Sequence, residues 1–317
     1  MSALDEIVKA YDIRGTFPDQ FDPETSRALG VGFARFADSD TIIVARDMRA
    51  SGVELCAAFV DGVTSRGIDV IDIGLASTDL LYFASGSLGL PGAMFTASHN
   101  PAQFNGIKLC LEGAAPVGID TGLAEIRATA STLLDGGPLP AAATIGTRTE
   151  RSMLDGFVDH VLGFVELDRI DPMRIVADTA NGMGGLVVPA VLERVPQIDL
   201  ELMYGELDGT FPNHPADPLQ PVNQRDLRAR VVAGSFDVGL AFDGDADRVF
   251  VVDENGTGIS GSTTTAMLAV AMLHSNPGAT ILHNLICSRA VPEIVIERGG
   301  LPVRSKGGHS NIKQVMA

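Results

Sequence analysis

Short β-branched runs alternate with amphipathic helical stretches along this chain, and this alternation constrains the fold more than any other feature. Residues 41–45 (TIIVA) are typical of a buried strand, and residues 53–66, which follow, have the apolar spacing of a helix. The same order of strand and helix returns beyond residue 151 and again beyond residue 256. Because strands that alternate with helices form sheets covered by helices, the sequence predicts an α/β fold.

The length of the chain and one segment of unusual composition predict how this fold is divided. A chain of 317 residues is long enough for two or three domains. Residues 136–146 (GGPLPAAATIG) are small, uncharged and rich in glycine and proline, which is typical of a linker. We therefore predict a first unit over residues 1–146, a second over residues 147–255 and a third over residues 256–317.

The charge balance excludes some classes of partner. The chain has 23 Lys and Arg against 40 Asp and Glu, which gives a net charge of −17. Such a chain repels nucleic acid and anionic lipid, so we expect neither as a partner. It has no apolar stretch long enough to span a membrane and no basic start of the kind a signal peptide has. Its three cysteines are far apart, which indicates free thiols, and we predict a cytoplasmic protein.

The strongest local signal is an acidic segment, FDGDADR over residues 242–248, which lies between two apolar strand-like runs. Asp243, Asp245 and Asp247 alternate along it, so their carboxylates can converge on one side of the backbone. Three negative charges this close repel each other unless a cation neutralises them. Oxygen ligands without sulfur or imidazole favour Mg²⁺ over Zn²⁺. The segment therefore predicts a magnesium site.

Two other kinds of aspartate-rich site compete for this segment. An EF-hand is excluded because Arg248 stands at the loop position that needs glycine and because the flanks are typical of strands rather than helices. A phosphoaspartyl centre also places Asp-x-Asp after a strand, but it normally has Thr or Val where this chain has Ala246. That second alternative stays open as a minority interpretation.

A second signal, TASHNP over residues 96–101, follows another apolar strand-like run. Proline ends regular structure, so Ser98 is predicted to lie on an exposed turn, and a plain turn explains the sequence equally well. The segment is not the nucleophile elbow of a hydrolase, because Gly-x-Ser-x-Gly is absent. NGIK, over residues 105–108, adds Lys108 shortly afterwards.

Taken together, these motifs resemble the α-D-phosphohexomutase family and, within it, the bacterial phosphomannomutase/phosphoglucomutase branch. Further segments agree in the order that the family has them, and these are KAYDIRG (9–15), DTANG (178–182), FPNHPADP (211–218) and KGGHSNIK (306–313). The resemblance implies tandem three-layer α/β/α modules with mixed sheets. It also implies interconversion of the 6-phosphate and 1-phosphate of mannose and/or glucose, with a hexose bisphosphate as intermediate.

The resemblance implies a covalent mechanism. The serine at the position of Ser98 is phosphorylated in the family, hands its phosphoryl group to the phosphosugar and takes the other phosphate back. Asp243, Asp245 and Asp247 are similar to the ligands of one Mg²⁺, which a phosphate oxygen on Ser98 completes. In so acidic a chain, only a cation and basic groups could hold the added charge of a phosphoserine.

Basic residues take the remaining roles that the resemblance implies. Lys108 is the first choice for the proton-transfer group, with His99 behind it. Arg14 and Arg248 are similar to the groups that surround the phosphoserine.

In the third unit, Lys306 and His309 resemble a pair that faces the sugar. The match is incomplete there, because Gly307 replaces a β-branched residue and Ser262 stands where the family has an aspartate.

The resemblance covers the family's first two domains and about half of the third. The sugar-specificity loop (Gly-Glu-x-Ser-Gly-His) and the phosphate-binding fourth domain do not occur among the 317 residues. We therefore expect a partial third domain and no fourth domain. Two alternatives stay open, namely a phosphoglucosamine mutase and a fragment that binds metal without turnover.

Overall fold

The computed structural model describes residues 3–137 and 142–316, without the side chains of residues 3, 309–311 and 314. The helices are α1 (Ala3–Ile7), α2 (Pro23–Phe36), α3 (Ser51–Thr64), α4 (Thr78–Leu88), α5 (Leu123–Leu134), α6 (Leu154–Leu162), α7 (Gly184–Leu192), α8 (Arg225–Gly234), α9 (Gly261–Ser275), α10 (Ala290–Glu297) and α11 (His309–Met316). The strands are β1 (Ile13–Thr16), β2 (Thr41–Arg46), β3 (Asp69–Leu75), β4 (Gly92–Phe95), β5 (Phe104–Leu111), β6 (Ala115–Pro116), β7 (Arg148–Glu150), β8 (Met173–Asp178), β9 (Ile198–Met203), β10 (Val238–Phe242), β11 (Val249–Asp253), β12 (Thr280–Asn284) and β13 (Leu301–Ser305). None of the helices described is both long and apolar enough to cross a membrane.

The first sheet has the strand order β1-β5-β4-β2-β3-β7, with β6 paired to β5. The strands β4, β2, β3 and β7 run parallel, whereas β5 is antiparallel to both of its neighbours β1 and β4. Successive side chains of a strand point to opposite faces, so Ile42 and Val44 join the core under α2, α3 and α5, while Ile43 and Ala45 join the core under α4. These helical layers on both faces of a mixed sheet confirm the predicted fold class.

Strand β7 joins this first sheet by pairing in parallel with β3. The predicted boundary at residue 146 falls just before this strand, which pairs with a strand of the first sheet. The strand is only three residues long, Arg-Thr-Glu, and all three are polar and exposed, so it carries no apolar pattern that would predict a strand. The linker predicted over residues 136–146 includes residues 138–141, which lie outside the described part of the chain. The limits of the three units remain predictions.

The second sheet has the order β11-β10-β8-β9, in which β10, β8 and β9 run parallel and β11 is antiparallel. Helix α8 contributes Leu227 and Val231 to the core on one face of this sheet. On the other face, Val187 and Val188 of α7 belong to the same apolar cluster as Leu81 of α4. Because this core is shared, the first two sheets are packed together through α4 and α7.

A third, smaller sheet pairs β12 with β13 in parallel. Its core is formed by α9 and α10, through Ala269, Leu273 and Val295. Helix α11 follows β13 and contacts β6 of the first unit, and the ammonium of its Lys313 lies 3.7 Å from the centre of the Tyr82 ring on α4. The third unit therefore contacts the first unit through α11, at β6 and α4.

Candidate active site

The segment around Ser98 follows β4 directly and leads into β5. Ser98 has a left-handed backbone (φ 52°), and its amide donates to Thr96 Oγ1 at 2.9 Å. The turn is not exposed as predicted, because Ser98 is 3% exposed. The acidic loop of the second unit covers it: a Cβ placed on Gly244 would lie 2.4 Å from the Ser98 carbonyl oxygen, so only glycine allows this approach.

The three aspartates lie on the tight connection between β10 and β11, as their flanking runs predicted. Ala246, in the middle of this loop, has φ 56° and turns the chain back. One carboxylate oxygen from each of Asp243, Asp245 and Asp247 lies within 4.8 Å of the others. The strand flanks agree with the exclusion of an EF-hand.

The carboxylates fit a bound cation. Asp243 and Asp245 are buried, and Asp245 Oδ1 has no hydrogen-bond partner among the described atoms. Burial, followed by the charges of Asp245 and Asp247, raises the pKa of Asp243 well above its usual value. An unpartnered buried carboxylate oxygen beside two further carboxylates is what a hard divalent ion would complete, so these residues could hold one.

Lys108 lies on β5, with its ammonium between two of the aspartates. Its Nζ donates to Asp245 Oδ2 at 2.5 Å and to Asp247 Oδ2 at 2.7 Å. Burial alone would lower the pKa of Lys108, but these two carboxylates outweigh burial and raise it. For Asp245 the effect of burial is likewise outweighed, and Lys108 and Thr78 hold its pKa below the usual value. Lys108 is therefore protonated in this geometry.

Thr78, the first residue of α4, is a site residue that sequence reasoning missed. Its hydroxyl donates to Asp245 Oδ2 at 2.5 Å, and its amide donates to the Asp245 carbonyl at 3.1 Å. Ser77, immediately before it, caps α4 by accepting from Leu80 N at 3.1 Å. The capping signal was present in the sequence, but nothing local indicated that the helix start would meet a loop from another unit.

Ser98, His99 and Arg248 form a second cluster beside the aspartates. Ser98 Oγ donates to Asp243 Oδ2 at 2.7 Å and lies 3.3 Å from His99 Nδ1. Arg248 Nη2 donates to His99 Nδ1 at 2.7 Å and also contacts Ser98 Oγ and Asp243 Oδ2. Burial and then the Arg248 charge lower the pKa of His99, so its imidazole is neutral and Nδ1 accepts.

A cavity of about 330 Å³ opens beside these residues. Its lining includes the hydroxyl of Ser98 and the basic and acidic side chains of Arg14, His99, Lys108, Asp247 and Arg248. Arg14 Nη1 donates to Asn100 Oδ1 at 3.1 Å, and its Nη2 pairs with Asp12 Oδ2 at 2.5 Å. The structure thus brings these six residues, which come from separate segments near residues 14, 98–108 and 247–248, around one space.

The two residues expected from the third unit are placed less closely. Gly308 lines the cavity, so the third unit reaches it, but Lys306 is exposed and is not among the lining residues that the structure describes. The side chain of His309 lies outside the described part of the structure. Their predicted contact with a sugar stays a prediction.

The segment DTANG packs against the acidic loop, and the segment FPNHPADP contacts DTANG. Met183 N donates to the Gly244 carbonyl at 2.9 Å, and a Cβ on Gly182 would lie 2.7 Å from the same oxygen. His214 Nε2 lies 2.9 Å from Asp178 Oδ2, which is buried. These contacts explain why the two segments accompany the aspartates.

Arg49, between β2 and α3, was also missed by sequence reasoning. Its guanidinium is buried and donates to the backbone carbonyls of Ser98 and Asn100. A single arginine in a loop carries no pattern of its own, so no local signal could have identified it.

Comparison with known proteins gives the same order of domains. The family profile described as phosphoglucomutase/phosphomannomutase, alpha/beta/alpha domain I, matches residues 5–134, and that of domain II matches residues 155–257. The phosphomannomutase of Salmonella typhimurium strain LT2 is 36% identical over 315 residues, which cover 97% of this chain and 68% of the relative.

Solved structures agree. A phosphoglucomutase/phosphomannomutase family protein from Burkholderia thailandensis aligns with a TM-score of 0.89 and 33% identity, over 100% of this chain and 69% of that one. The N-acetylphosphoglucosamine mutase of Aspergillus fumigatus, crystallised with glucose 1,6-bisphosphate, shares the fold at a TM-score of 0.55 and 13% identity, over 98% of this chain and 64% of that one. The predicted resemblance is confirmed, and the chain belongs to the phosphoglucomutase/phosphomannomutase family of intramolecular phosphotransferases.

Proposed function

We propose that this protein interconverts the 6-phosphate and 1-phosphate of a hexose, mannose and/or glucose, through a phosphoserine at Ser98 and a bound Mg²⁺. One observation carries the proposal: Ser98 Oγ lies 2.7 Å from Asp243 Oδ2, although the two residues follow strands of different sheets. A nucleophilic hydroxyl beside a carboxylate cluster that can hold a cation is what transfer of a phosphoryl group requires.

The residues of the cavity would act on Ser98 as follows. Phosphoserine 98 transfers its phosphoryl group to the free hydroxyl of the hexose phosphate, so the P–Oγ bond breaks and a P–O bond to the sugar forms. The product is a hexose 1,6-bisphosphate, which reverses its orientation and returns its other phosphate to Ser98. Arg248, which contacts Ser98 Oγ, would hold the charge of the transferring group.

The metal site would be formed by Asp243, Asp245 and Asp247, with an oxygen on Ser98 as a further ligand. When bound, Mg²⁺ supplies positive charge to the phosphoryl oxygens. Asp245 Oδ1, which is buried without a described partner, supports this assignment. The net charge of −17 adds a physical reason, because a phosphoserine needs local positive charge in so acidic a chain.

A proton must leave the sugar hydroxyl and another must reach Ser98 Oγ as the phosphoryl group moves. We assign the first step to Lys108, with His99 as the second candidate. In the geometry described, Asp245 and Asp247 raise the pKa of Lys108, so Lys108 is a proton donor. Neutralising those two carboxylates would lower that pKa toward the range of a general base. His99 Nδ1 lies 3.3 Å from Ser98 Oγ, so His99 would pass the second proton to this oxygen, provided that Arg248 donates to the phosphoryl group instead of to Nδ1.

The substrate would be bound by groups from all three predicted units, over residues 1–146, 147–255 and 256–317. Arg14 and Arg248 line the cavity and would bind phosphate, while Lys306 and His309 would face the sugar. The bound glucose 1,6-bisphosphate of the Aspergillus relative supports a phosphosugar as the class of ligand.

The free, buried thiols of Cys56 and Cys110 support a cytoplasmic protein.

Phosphorylation of the chain tests this proposal. We expect incubation with glucose 1,6-bisphosphate and Mg²⁺ to add one phosphate, which peptide mass spectrometry locates on Ser98. Ser98→Ala should abolish both this labelling and turnover of mannose or glucose 1-phosphate. Ser87→Ala, which alters an exposed serine of α4, should change neither. Phosphate found on Asp243 instead would establish the phosphoaspartyl alternative.

Comparing substrates tests the remaining alternatives. A coupled assay converts the 1-phosphates of mannose, glucose and glucosamine and measures each 6-phosphate. Preference for glucosamine would establish a phosphoglucosamine mutase. Labelling of Ser98 and binding of Mg²⁺ without any turnover would establish the alternative of a metal-binding chain that does not complete the reaction.

A further inference from the structure

Arg49 lies beside the Ser98 segment, and every N–H group of its guanidinium donates a hydrogen bond. Its Nη2 donates to the carbonyls of Ser98 at 2.8 Å and Asn100 at 2.6 Å. Its Nη1 donates to the carbonyls of Pro101 at 2.8 Å and Phe104 at 3.0 Å. The remaining N–H, on Nε, donates to an Asp47 carboxylate oxygen at 3.2 Å. A guanidinium has five N–H groups, and all five have acceptors here.

These contacts fix the backbone of the segment from Ser98 to Phe104. Ser98 has φ 52°, a left-handed conformation that is unfavourable for a non-glycine residue and persists only where the surroundings enforce it. Four carbonyls held by one rigid, planar group provide such enforcement. An ammonium has three donors on a flexible stem and cannot reach four divergent carbonyls at once.

Asp47, which pairs with Arg49, is hydrogen-bonded to the end of β4. Arg49 and Asp47 are both buried and neutralise each other, and the Arg49 amide donates to Asp47 Oδ1 at 2.9 Å. The Asp47 amide donates to the carbonyl of Phe95, the last residue of β4, at 2.9 Å. The Asp47–Arg49 pair therefore ties the loop that follows β2 to both ends of the Ser98 segment.

Residues of the second unit pack against Arg49 on its other side. The Arg49 guanidinium carbon lies 5.1 Å from the centre of the Phe211 ring. A Cβ on Gly209 would lie 2.6 Å from Arg49 Cα, so that loop is also packed directly on Arg49. Since Gly244 covers the Ser98 carbonyl as well, that carbonyl lies between Arg49 and the acidic loop.

We propose that Arg49 is a positioning residue, which holds Ser98 Oγ against Asp243 by fixing four carbonyls of its loop and which links this loop to the Phe211 segment of the second unit. The inference rests on the proposed transfer through Ser98. Arg49 touches neither the substrate cavity nor Ser98 Oγ in the structure, so its effect acts through the backbone. A displacement of about 1 Å at a reacting atom costs about 100-fold in rate.

The test compares Arg49→Lys with the matched variant Arg174→Lys. Arg174 also donates to a backbone carbonyl, that of Gly234, and lies over a ring, that of Phe236, but it does not line the cavity beside Ser98 among the residues described. The rate of Ser98 phosphorylation by glucose 1,6-bisphosphate is followed by intact mass, at several bisphosphate concentrations and well below the unfolding temperature of each variant. We expect Arg49→Lys to lower the limiting rate of Ser98 phosphorylation about 100-fold. The bisphosphate concentration at half-saturation should stay unchanged. Mg²⁺ should raise the unfolding temperature of this variant as much as it raises that of the wild type. Arg174→Lys should match the wild type.

The results distinguish a failure of this inference from a failure of the proposed function. A wild-type chain that takes no phosphate overturns both. A wild-type chain that is phosphorylated, with Arg49→Lys equally fast, overturns the inference alone, as does a change confined to half-saturation. If Arg49→Lys does not fold, Phe211→Leu replaces it, since this variant removes only the ring over Arg49. We then expect a limiting rate about 3- to 10-fold lower, and an unchanged rate overturns the inference.

Discussion

The ammonium of Lys108 lies 2.5 Å from Asp245 Oδ2, although 137 positions separate the two residues. Lys108 comes from β5 of the first sheet and Asp245 from the hairpin of the second, so this pair joins the two units at the site. Thr78 completes the contact, because its hydroxyl donates to the same carboxylate oxygen. The acidic loop is therefore held from the first unit by an ammonium and a hydroxyl.

Opposite effects are expected from removing the charge of two neighbouring aspartates. The raised pKa of Asp243 means that its ionised form is unfavourable in the fold, whereas the lowered pKa of Asp245 means that its ionised form is favourable. Without metal, Asp243→Asn should raise the free energy of unfolding by about 1 kcal/mol, and Asp245→Asn should lower it by about 3 kcal/mol. Denaturant unfolding in EDTA measures both, and a decrease of equal size in the two variants would contradict this expectation.

The hydroxyl of Thr78 is expected to matter for the acidic loop. Thr78→Val keeps the side-chain shape but removes one donor from the buried Asp245 carboxylate, so we expect a loss of about 1–3 kcal/mol in the free energy of unfolding. Thr78→Ser keeps the hydroxyl and serves as the control. Thermal unfolding with and without Mg²⁺ provides the measurement, and an unchanged free energy of unfolding in Thr78→Val would contradict a role for the hydroxyl.

Gly244 is expected to tolerate no side chain. A Cβ there would lie 2.4 Å from the Ser98 carbonyl oxygen, so the loops must separate in Gly244→Ala. We expect Ser98 phosphorylation to slow about 100-fold, because Asp243 moves relative to Ser98 Oγ. Gly261→Ala is the control, since a Cβ at the start of α9 has nothing within 4 Å and should leave the rate unchanged. Phosphorylation at the wild-type rate in Gly244→Ala would contradict the close approach of the loops.

Stability is expected to fall with rising pH because of His214. Burial would lower its pKa, but the hydrogen bond and charge of the buried Asp178, together with the Pro215 carbonyl, outweigh burial and raise it above 6.5. A raised pKa means that the folded state favours the protonated ring. This contribution is complete below pH 6.5 and is lost as the pH rises through the folded-state value.

Denaturant unfolding between pH 5.5 and pH 8.5 checks this dependence. His214→Gln should cost about 1–3 kcal/mol at the acidic end and flatten the decrease toward higher pH. His274→Gln, at the exposed end of α9, should leave the decrease intact. A wild-type profile that rises above pH 6.5 in step with that of His214→Gln would show that other groups dominate.

Much of the fold could be predicted because its signals are local. The predicted strand over residues 41–45 lies within β2 (Thr41–Arg46), and the two apolar runs that flank the acidic segment form β10 and β11. Helix α2 was not predicted, although Asp22 caps it by accepting from Thr25 N at 2.8 Å and Pro23 occupies its first position. Those are standard start signals, and they could have identified it.

The sequence by itself determined the α/β alternation, the Ser98 turn, the aspartate triplet and the family, because backbone preferences and ligand chemistry depend on adjacent residues. Only the tertiary structure decided that Ser98 is buried, that Lys108 pairs with Asp245 and that Arg49 fixes the loop. Those contacts join residues 145, 137 and 49 positions apart. A hydrogen bond or ion pair of this kind depends on how two sheets pack, and no local pattern carries that information.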